Sequence, residues 1–238
     1  MPDFPLLLAI DTCGPSGSVA LGRIPGRDLE ILGQTELAGR TYSATLISAV
    51  AELLSSASLH LGLLDAIVVV NGPGSFTGVR VGVSAAKGLA QGAGIPVVAI
   101  SRLEVLSRKS GVPSAALDAH RGEIYLRLER GMDGKARAPI EILVGPEELA
   151  AVHPAPVRVA VCEESAATLL ARVWPHTQLV TVPPPLASDA IRPGEARLIA
   201  GAAADLSLLD GHYLRRSDAE IFGADVAAQT DVARSKLA

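Results

Sequence analysis

Residues 66–80 read AIVVVNGPGSFTGVR and show the clearest pattern for the fold class. The β-branched, apolar run at 66–70 is typical of a buried strand in a parallel sheet. The glycine-dense loop that follows it leads into a helix, which the pattern predicts over residues 78–91. A second buried strand is predicted at 96–100. This stretch therefore forms a strand, helix, strand unit of an α/β fold.

Upstream of this unit, the apolar pattern predicts three short strands and one helix. The strands fall at residues 6–11, 18–23 and 29–37, and turn-forming residues separate them. Apolar side chains recur at helical spacing over 43–57, with Thr41 or Ser43 as the N-cap. The first hundred residues are thus predicted to run as a three-stranded meander followed by parallel units, in the order βββαβαβ.

Downstream, the same order of elements is predicted a second time in shorter form. Ser101 and Glu104 have capping-box spacing for a helix that leaves the first repeat. The later segments are strands at 115–118, 123–130, 140–144, 157–161 and 178–182, and helices at 145–152, 165–173 and 194–209. We predict a duplicated α/β fold with an N-terminal domain at 1–103, an abbreviated C-terminal domain at 104–215 and a tail at 216–238.

Composition narrows the class of protein. The 238 residues carry a formal charge of -4, which is unfavourable for gripping nucleic acid without a partner. No apolar run reaches the ~18 residues of a membrane span, and the first ten residues lack the features of a signal peptide. The two cysteines, Cys13 and Cys162, give no disulfide framework. We expect a cytoplasmic protein with no membrane association.

The glycine-dense loop, Asn71-Gly72-Pro73-Gly74-Ser75-Phe76-Thr77-Gly78, leaves two interpretations open. Backbone N–H groups at the start of a helix can bind an anion. The spacing, however, matches neither a Walker loop, which needs Gly-Lys followed by Ser or Thr, nor the dinucleotide fingerprint G-x-G-x-x-G. The alternative is a tight turn whose glycines let two backbones approach closely. Small residues further along the helix would then favour close packing of a second helix.

Carboxylates at two strand ends are candidates for chemistry. Asp11-Thr12 ends the first strand and Asp118 ends the equivalent strand of the second repeat, where a carboxylate could hold Mg²⁺ beside a phosphate. A phosphotransferase using Asp11 and Asp118 is therefore the alternative function. The competing interpretation is that each aspartate caps its own loop in an Asx turn. The histidines show no H-x-x-x-H or H-E-x-x-H spacing and no serine lies in G-x-S-x-G, so we predict no metal site and no peptidase.

Four blocks of the sequence resemble the TsaB (YeaZ) family along nearly the whole chain. They are LAIDT at 8–12 with SVAL at 18–21, GPGSFTGVR at 72–80, LDAHRGEIY at 117–125 and YLRRSDAE at 213–220. The resemblance implies two ribonuclease-H-like lobes of the sugar-kinase, Hsp70 and actin (ASKHA) type, the second abbreviated. Asp11, Thr12 and Asp118 would then be the remnant of a nucleotide site, and no cofactor is expected.

The resemblance also implies a role in making N6-threonylcarbamoyladenosine at position 37 of tRNA. The chain would be a non-catalytic subunit that binds TsaD, the transferase, with TsaE as ATPase partner, or that pairs with a second copy of itself. It would meet tRNA only through the complex. Tyr42 stands where many members have a histidine. The implied contact residues lie on two helices: Tyr42, Leu46 and Val50 on the first, and Ser75, Phe76, Thr77, Val79, Arg80, Val83, Ala86 and Lys87 on the second.

Overall fold

The computed structural model describes residues 4–39, 41–130 and 136–215. Its first sheet has the strand order β3-β2-β1-β4-β5. Within the meander, β2 pairs with both β1 and β3 in antiparallel fashion, whereas β1, β4 and β5 are parallel. Every residue of β1 and β4 is buried, as expected for central strands covered on both faces. The five strands are β1 (Leu7–Asp11), β2 (Gly17–Arg23), β3 (Glu30–Leu37), β4 (Ala66–Val70) and β5 (Val97–Ile100).

The second sheet repeats this topology. Its strand order is β10-β9-β6-β7-β8, the same path as in the first sheet viewed from the other edge. The strands are β6 (Ala115–Asp118), β7 (Ile124–Arg130), β8 (Ala136–Val144), β9 (Arg158–Val161) and β10 (Gln178–Thr181). The predicted α/β class and the duplicated order of strands are confirmed.

Six helices cover the sheets, with a single 3-10 turn at Leu61–Leu63 among the described residues. They are α1 (Tyr42–Ser56), α2 (Phe76–Ala93), α3 (Arg102–Ser110), α4 (Pro146–Ala150), α5 (Glu164–Val173) and α6 (Ala187–Ile199). Gly82 of α2 lies against Ile10, and Gly194 of α6 lies against Val68. Since Val68 pairs with Ala9, and neighbouring residues of a strand face opposite sides, α2 and α6 cover opposite faces of the first sheet.

The third helix of each repeat packs on the other repeat's sheet. Helix α3 follows β5 but contacts β6, β7 and β9, while α6 follows β10 but contacts the first sheet. An ion pair between Arg197 and Glu104 joins the two helices. We call the first sheet with α1, α2 and α6 the N-lobe, and the second sheet with α3, α4 and α5 the C-lobe. This exchange interlocks the lobes.

Helix α6 and two cap residues differ from the sequence-based expectations. The helix was predicted at 194–209 in the second repeat, but it begins seven residues earlier, where the Asp189 carboxylate accepts from the Leu186 N–H at 2.8 Å. Ser101 caps α3 through the Leu103 N–H, yet Glu104 pairs with Arg197 and forms no capping box. Thr41 is the N-cap of α1, but its hydroxyl donates to the Ala38 carbonyl.

None of the helices in the described part of the chain is both long enough and apolar enough to cross a membrane. The predicted tail at 216–238 lies outside the described residues, as does the end of the YLRRSDAE block.

Candidate partner-binding site

The glycines at the start of α2 are required by the loop that follows β1. A Cβ on Gly78 would lie 2.0 Å from the Thr12 carbonyl oxygen, and one on Gly74 would lie 2.3 Å from the Cys13 carbonyl oxygen. The Thr12 hydroxyl donates to the Gly78 carbonyl at 2.7 Å, and the Ser75 N–H donates to the Cys13 carbonyl at 2.8 Å. The Thr12 and Cys13 carbonyl oxygens therefore lie against this loop. The interpretation of the loop as a close backbone approach is confirmed.

Both candidate aspartates form Asx turns. The Cys13 N–H donates to Asp11 and the His120 N–H donates to Asp118, each at 2.8 Å. Asp118 lies on the C-lobe beside an exposed His120, whose Nδ1 is 3.3 Å from the carboxylate. The loop-capping interpretation of both residues is confirmed.

Arg102 lies against Asp11, and no spacing in the sequence predicts this pairing. Its Nε lies 3.6 Å from Asp11 Oδ2, and the two side chains are 5% and 3% exposed. This Nε has no hydrogen-bond partner. Burial raises the pKa of Asp11, and the Arg102 charge acts against that rise. An internal cation thus holds the position that Mg²⁺ would need at Asp11, so the geometry gives a phosphotransferase no support.

The thiols of Cys13 and Cys162 are also poorly placed for chemistry. Burial raises the pKa of the Cys13 thiol well above its ordinary range, and its Sγ donates to the Val70 carbonyl at 3.1 Å. Burial, together with the charge of Glu163, raises the pKa of Cys162 to about 12. Both thiols stay protonated near neutral pH and are poor nucleophiles. Within the described ranges, no three His, Cys, Asp or Glu side chains come close enough together to hold a metal ion.

Six of the eleven predicted contact residues face the core of the N-lobe, which corrects the face assigned to each helix. They are Tyr42, Leu46, Val50, Val79, Val83 and Ala86, all 7% exposed or less. The apolar residues at helical spacing form the stripe by which each helix packs on the N-lobe's own sheet. The sequence-based prediction assigned this stripe to the partner contact and therefore named core residues. A glutamate at Val83 or Ala86 would therefore perturb the core and would not test a contact.

Tyr42 is wedged between the β1–β2 loop and α2. Its hydroxyl donates to the Gly14 carbonyl at 2.9 Å, and its ring lies against Gly17 and Gly78. Burial, with a smaller contribution from the charge of Asp11, raises its pKa from the ordinary 10.0 to about 12. The Tyr42 hydroxyl thus makes its hydrogen bond inside the N-lobe.

The raised pKa predicts how stability responds to alkali. Between pH 10 and about 12 the folded chain keeps a proton on Tyr42 that the unfolded chain has lost, so this residue makes stability fall as pH rises. Tyr42→Phe removes this effect and costs roughly 1 kcal/mol at pH 7 through the lost hydrogen bond. In urea unfolding, the stability advantage of the wild type should be smaller at pH 11 than at pH 7. An equal advantage at both values would contradict the assignment.

The remaining predicted residues lie at the surface, though most of them are engaged within the chain. Ser75, Phe76, Thr77 and Arg80 are exposed, and Lys87 is partly so. The Arg80 guanidinium lies 3.9 Å from the centre of the Phe76 ring, and Lys87 Nζ donates to the Leu209 carbonyl at 3.0 Å.

A different set of side chains points away from the first sheet. We define the outer face as the exposed residues Ala44, Ile47, Ser48 and Ala51 of α1, and Thr77, Ser84 and Gly88 of α2. They recur at spacings of three, four or seven residues, so each set lies along one side of its helix. The two helices pack against each other. Ile47 is 52% exposed, and the small residues around it leave room for another helix to approach.

Residues 33–163, more than half of the chain, match a family model described as TsaD: tRNA N6-adenosine threonylcarbamoyltransferase. An uncharacterized protein of Mycobacterium tuberculosis is 31% identical over 218 residues, which cover 90% of this chain and 93% of that protein. The tRNA threonylcarbamoyladenosine biosynthesis protein TsaB of Haemophilus influenzae is 40% identical over 125 residues. The chain belongs to the TsaB (YeaZ) family.

The match to the Haemophilus influenzae protein covers 50% of this chain and 51% of that protein, so the chain spans about half the length of its TsaB relatives. The likeness in fold extends further. The solved structure of YeaZ from Pseudomonas aeruginosa superposes with a TM-score of 0.71 at 26% identity, and covers 88% of this chain and 100% of that one. The two-lobed architecture is therefore that of the family.

Proposed function

We propose that this chain is a non-catalytic subunit that binds TsaD and supports it in forming N6-threonylcarbamoyladenosine at position 37 of tRNA. It would act in the cytoplasm with TsaE as a further component, and a second copy of the chain could take the place of TsaD when TsaD is absent. The names of the relatives, a biosynthesis protein and a transferase for this modification, support the pathway.

Two features favour a supporting role over a catalytic one. The carboxylate best placed for phosphate chemistry, Asp11, is buried against Arg102. Both thiols are held in the protonated form by burial. The net charge of -4 also favours contact with tRNA through a partner, because binding its phosphates requires neutralising them with lysine and arginine.

The observation that carries the proposal is the outer face of α1 and α2. The half-exposed Ile47 lies among alanine, serine and glycine residues, so this face carries no charged side chain of its own and has little steric bulk. Two antiparallel or crossed helices of a partner could pack on it, since small side chains permit close approach between helix axes. Related proteins such as TsaD would offer equivalent helices, which gives a four-helix contact.

Ile47→Glu tests this contact without disturbing the core. A glutamate buried at the contact without a partner charge should cost roughly 3 kcal/mol, which weakens TsaD binding about 150-fold. The free energy of unfolding of the isolated chain should change by less than about 0.5 kcal/mol, because the site is exposed. Calorimetric titration of each purified variant with TsaD measures the effect.

Val157→Glu is the matched control. Val157 is 82% exposed and directly precedes β9 on the C-lobe, whereas the outer face lies on the N-lobe. It should bind TsaD as the wild type does. Equal affinity of the Ile47→Glu and Val157→Glu variants would refute the assigned face.

A further inference from the structure

The segment from Asp205 to Arg215, which we call the strap, crosses from the N-lobe to the C-lobe. It begins against β5, where the Ala204 N–H donates to the Val97 carbonyl at 2.7 Å. Leu209 is buried in the core of the N-lobe. Its far end reaches the hairpin turn of the C-lobe, where Arg215 Nη2 donates to the Ala119 carbonyl at 2.9 Å and pairs with Glu123. The strap therefore has anchors on both lobes.

On the N-lobe, the strap holds the loop in which α2 begins. The His212 N–H donates to the Asn71 carbonyl at 2.6 Å, and Asn71 Nδ2 donates to the Asp210 carbonyl at 3.2 Å. The Tyr213 ring lies 5.1 Å from that of Phe76, the first residue of α2. Gly211 leaves no room for a Cβ, which would lie 2.6 Å from Val79. The contact is close along its whole length.

On the C-lobe, the same His212 reaches a buried carboxylate. Its Nε2 lies 2.9 Å from Glu141 Oε2 on β8. Glu141 also accepts from Arg127 Nη1 and from the Ser101 hydroxyl, each at 2.6 Å. These hydrogen bonds outweigh the effect of burial and lower the pKa of Glu141. Three side chains hold the Glu141 carboxylate in place. His212 links it to the loop that precedes α2, because its side chain contacts Glu141 and its N–H donates to Asn71.

We propose that the strap is a latch through which the C-lobe fixes the start of α2, and with it the outer face that the partner contacts. In its second part this proposal rests on the proposed function. His212 and Arg215 are positioning residues in this arrangement, since neither lies on the outer face. The latch also explains what the C-lobe contributes to a contact formed by N-lobe helices.

The double variant His212→Ala/Arg215→Ala tests the latch. It removes the two side-chain anchors on the C-lobe and leaves every N-lobe contact of the strap in place, including the His212 N–H to Asn71. Hydrogen exchange of the isolated chain should accelerate roughly 5- to 30-fold at residues 72–80, which carry no substitution. A purely local role would accelerate exchange near residues 119–123 and 141 only, and that outcome would overturn the latch.

Controls separate the latch from general destabilisation. Arg172→Ala, at an exposed position of α5 on the C-lobe, should leave exchange at 72–80 unchanged. His212→Gln with Arg215 intact retains a donor toward Glu141 and should restore slow exchange. Should the double variant fail to fold, His212→Ala alone should give the same acceleration to a smaller extent, and unchanged exchange would overturn the proposal.

The affinity for TsaD tests the second part. The double variant should bind TsaD at least about fivefold more weakly than Arg172→Ala does. Faster exchange with unchanged affinity would overturn the link between the latch and the outer face. Failure of the wild-type chain to bind TsaD would refute the proposed function, and the exchange result would still decide whether the strap is a latch.

Discussion

Arg102→Leu should lower the free energy of unfolding by about 3–5 kcal/mol, because it leaves the Asp11 carboxylate buried without its counter-charge. Arg102 and Asp11 are both almost fully buried at the junction of the lobes. Urea unfolding of the isolated chain measures the loss. The double variant Asp11→Asn/Arg102→Leu removes both charges and should recover a large part of the lost stability.

The loss should also depend on pH. Burial already raises the pKa of Asp11 while Arg102 opposes the rise, so loss of Arg102 raises this pKa further. A folded-state pKa above that of the unfolded chain makes stability fall as pH rises through the interval between the two values. The deficit of Arg102→Leu should therefore be smaller at pH 5 than at pH 8. A deficit below about 1 kcal/mol, or one independent of pH, would contradict the pairing.

Gly78→Ala should be the second large effect. The added Cβ would lie 2.0 Å from the Thr12 carbonyl oxygen, a backbone atom that cannot move without displacing the end of β1. Overpacking of this kind costs up to about 3 kcal/mol, against which helix propensity returns roughly 1 kcal/mol. We expect a net loss of up to about 2 kcal/mol in urea unfolding.

Gly88→Ala in the same helix is the control. A Cβ there meets nothing within 4 Å, so only helix propensity changes, and the variant should be more stable by about 0.5–1 kcal/mol. Opposite signs at the two positions are the expected result. Similar changes at both would show that the close approach at Gly78 does not constrain the fold.

The order of elements along the chain was predictable because β4 and β5 are continuous apolar runs and turn-forming residues separate the strands of the meander. For the glycine loop, the sequence argued against a Walker or dinucleotide-binding loop but left an anion site and a tight turn both open. These signals are local. They depend on neighbouring residues and survive whatever packs around them.

Most of the features that the sequence did not reveal depend on contacts between distant parts of the chain. Helix α6 was predicted at 194–209, after Pro193, yet it begins at Ala187 through the Asp189 cap and packs on the sheet of the other repeat. Arg102 meets Asp11 across 91 positions of sequence, and His212 meets Glu141 across 71. No spacing rule connects such pairs.

The other error concerned which side of α1 and of α2 faces solvent. Leu46 and Val83 are apolar and were assigned to a contact, whereas they lie in the core and leave Ile47 and Ser84 outside. An apolar stripe indicates that something packs on it but does not distinguish the protein's own sheet from a partner. Only the burial of each residue in the fold resolves this.

Reconstituted modification of tRNA tests whether the chain supports TsaD without performing the reaction itself. Purified chain, TsaD and TsaE would be combined with unmodified tRNA and the threonylcarbamoyl donor, and N6-threonylcarbamoyladenosine would be measured by mass spectrometry. We predict no product from the chain alone, full activity on adding wild-type or Val157→Glu chain to TsaD and TsaE, and little activity with Ile47→Glu. Product formed by the chain unaided, or full activity with Ile47→Glu, would contradict the proposed function.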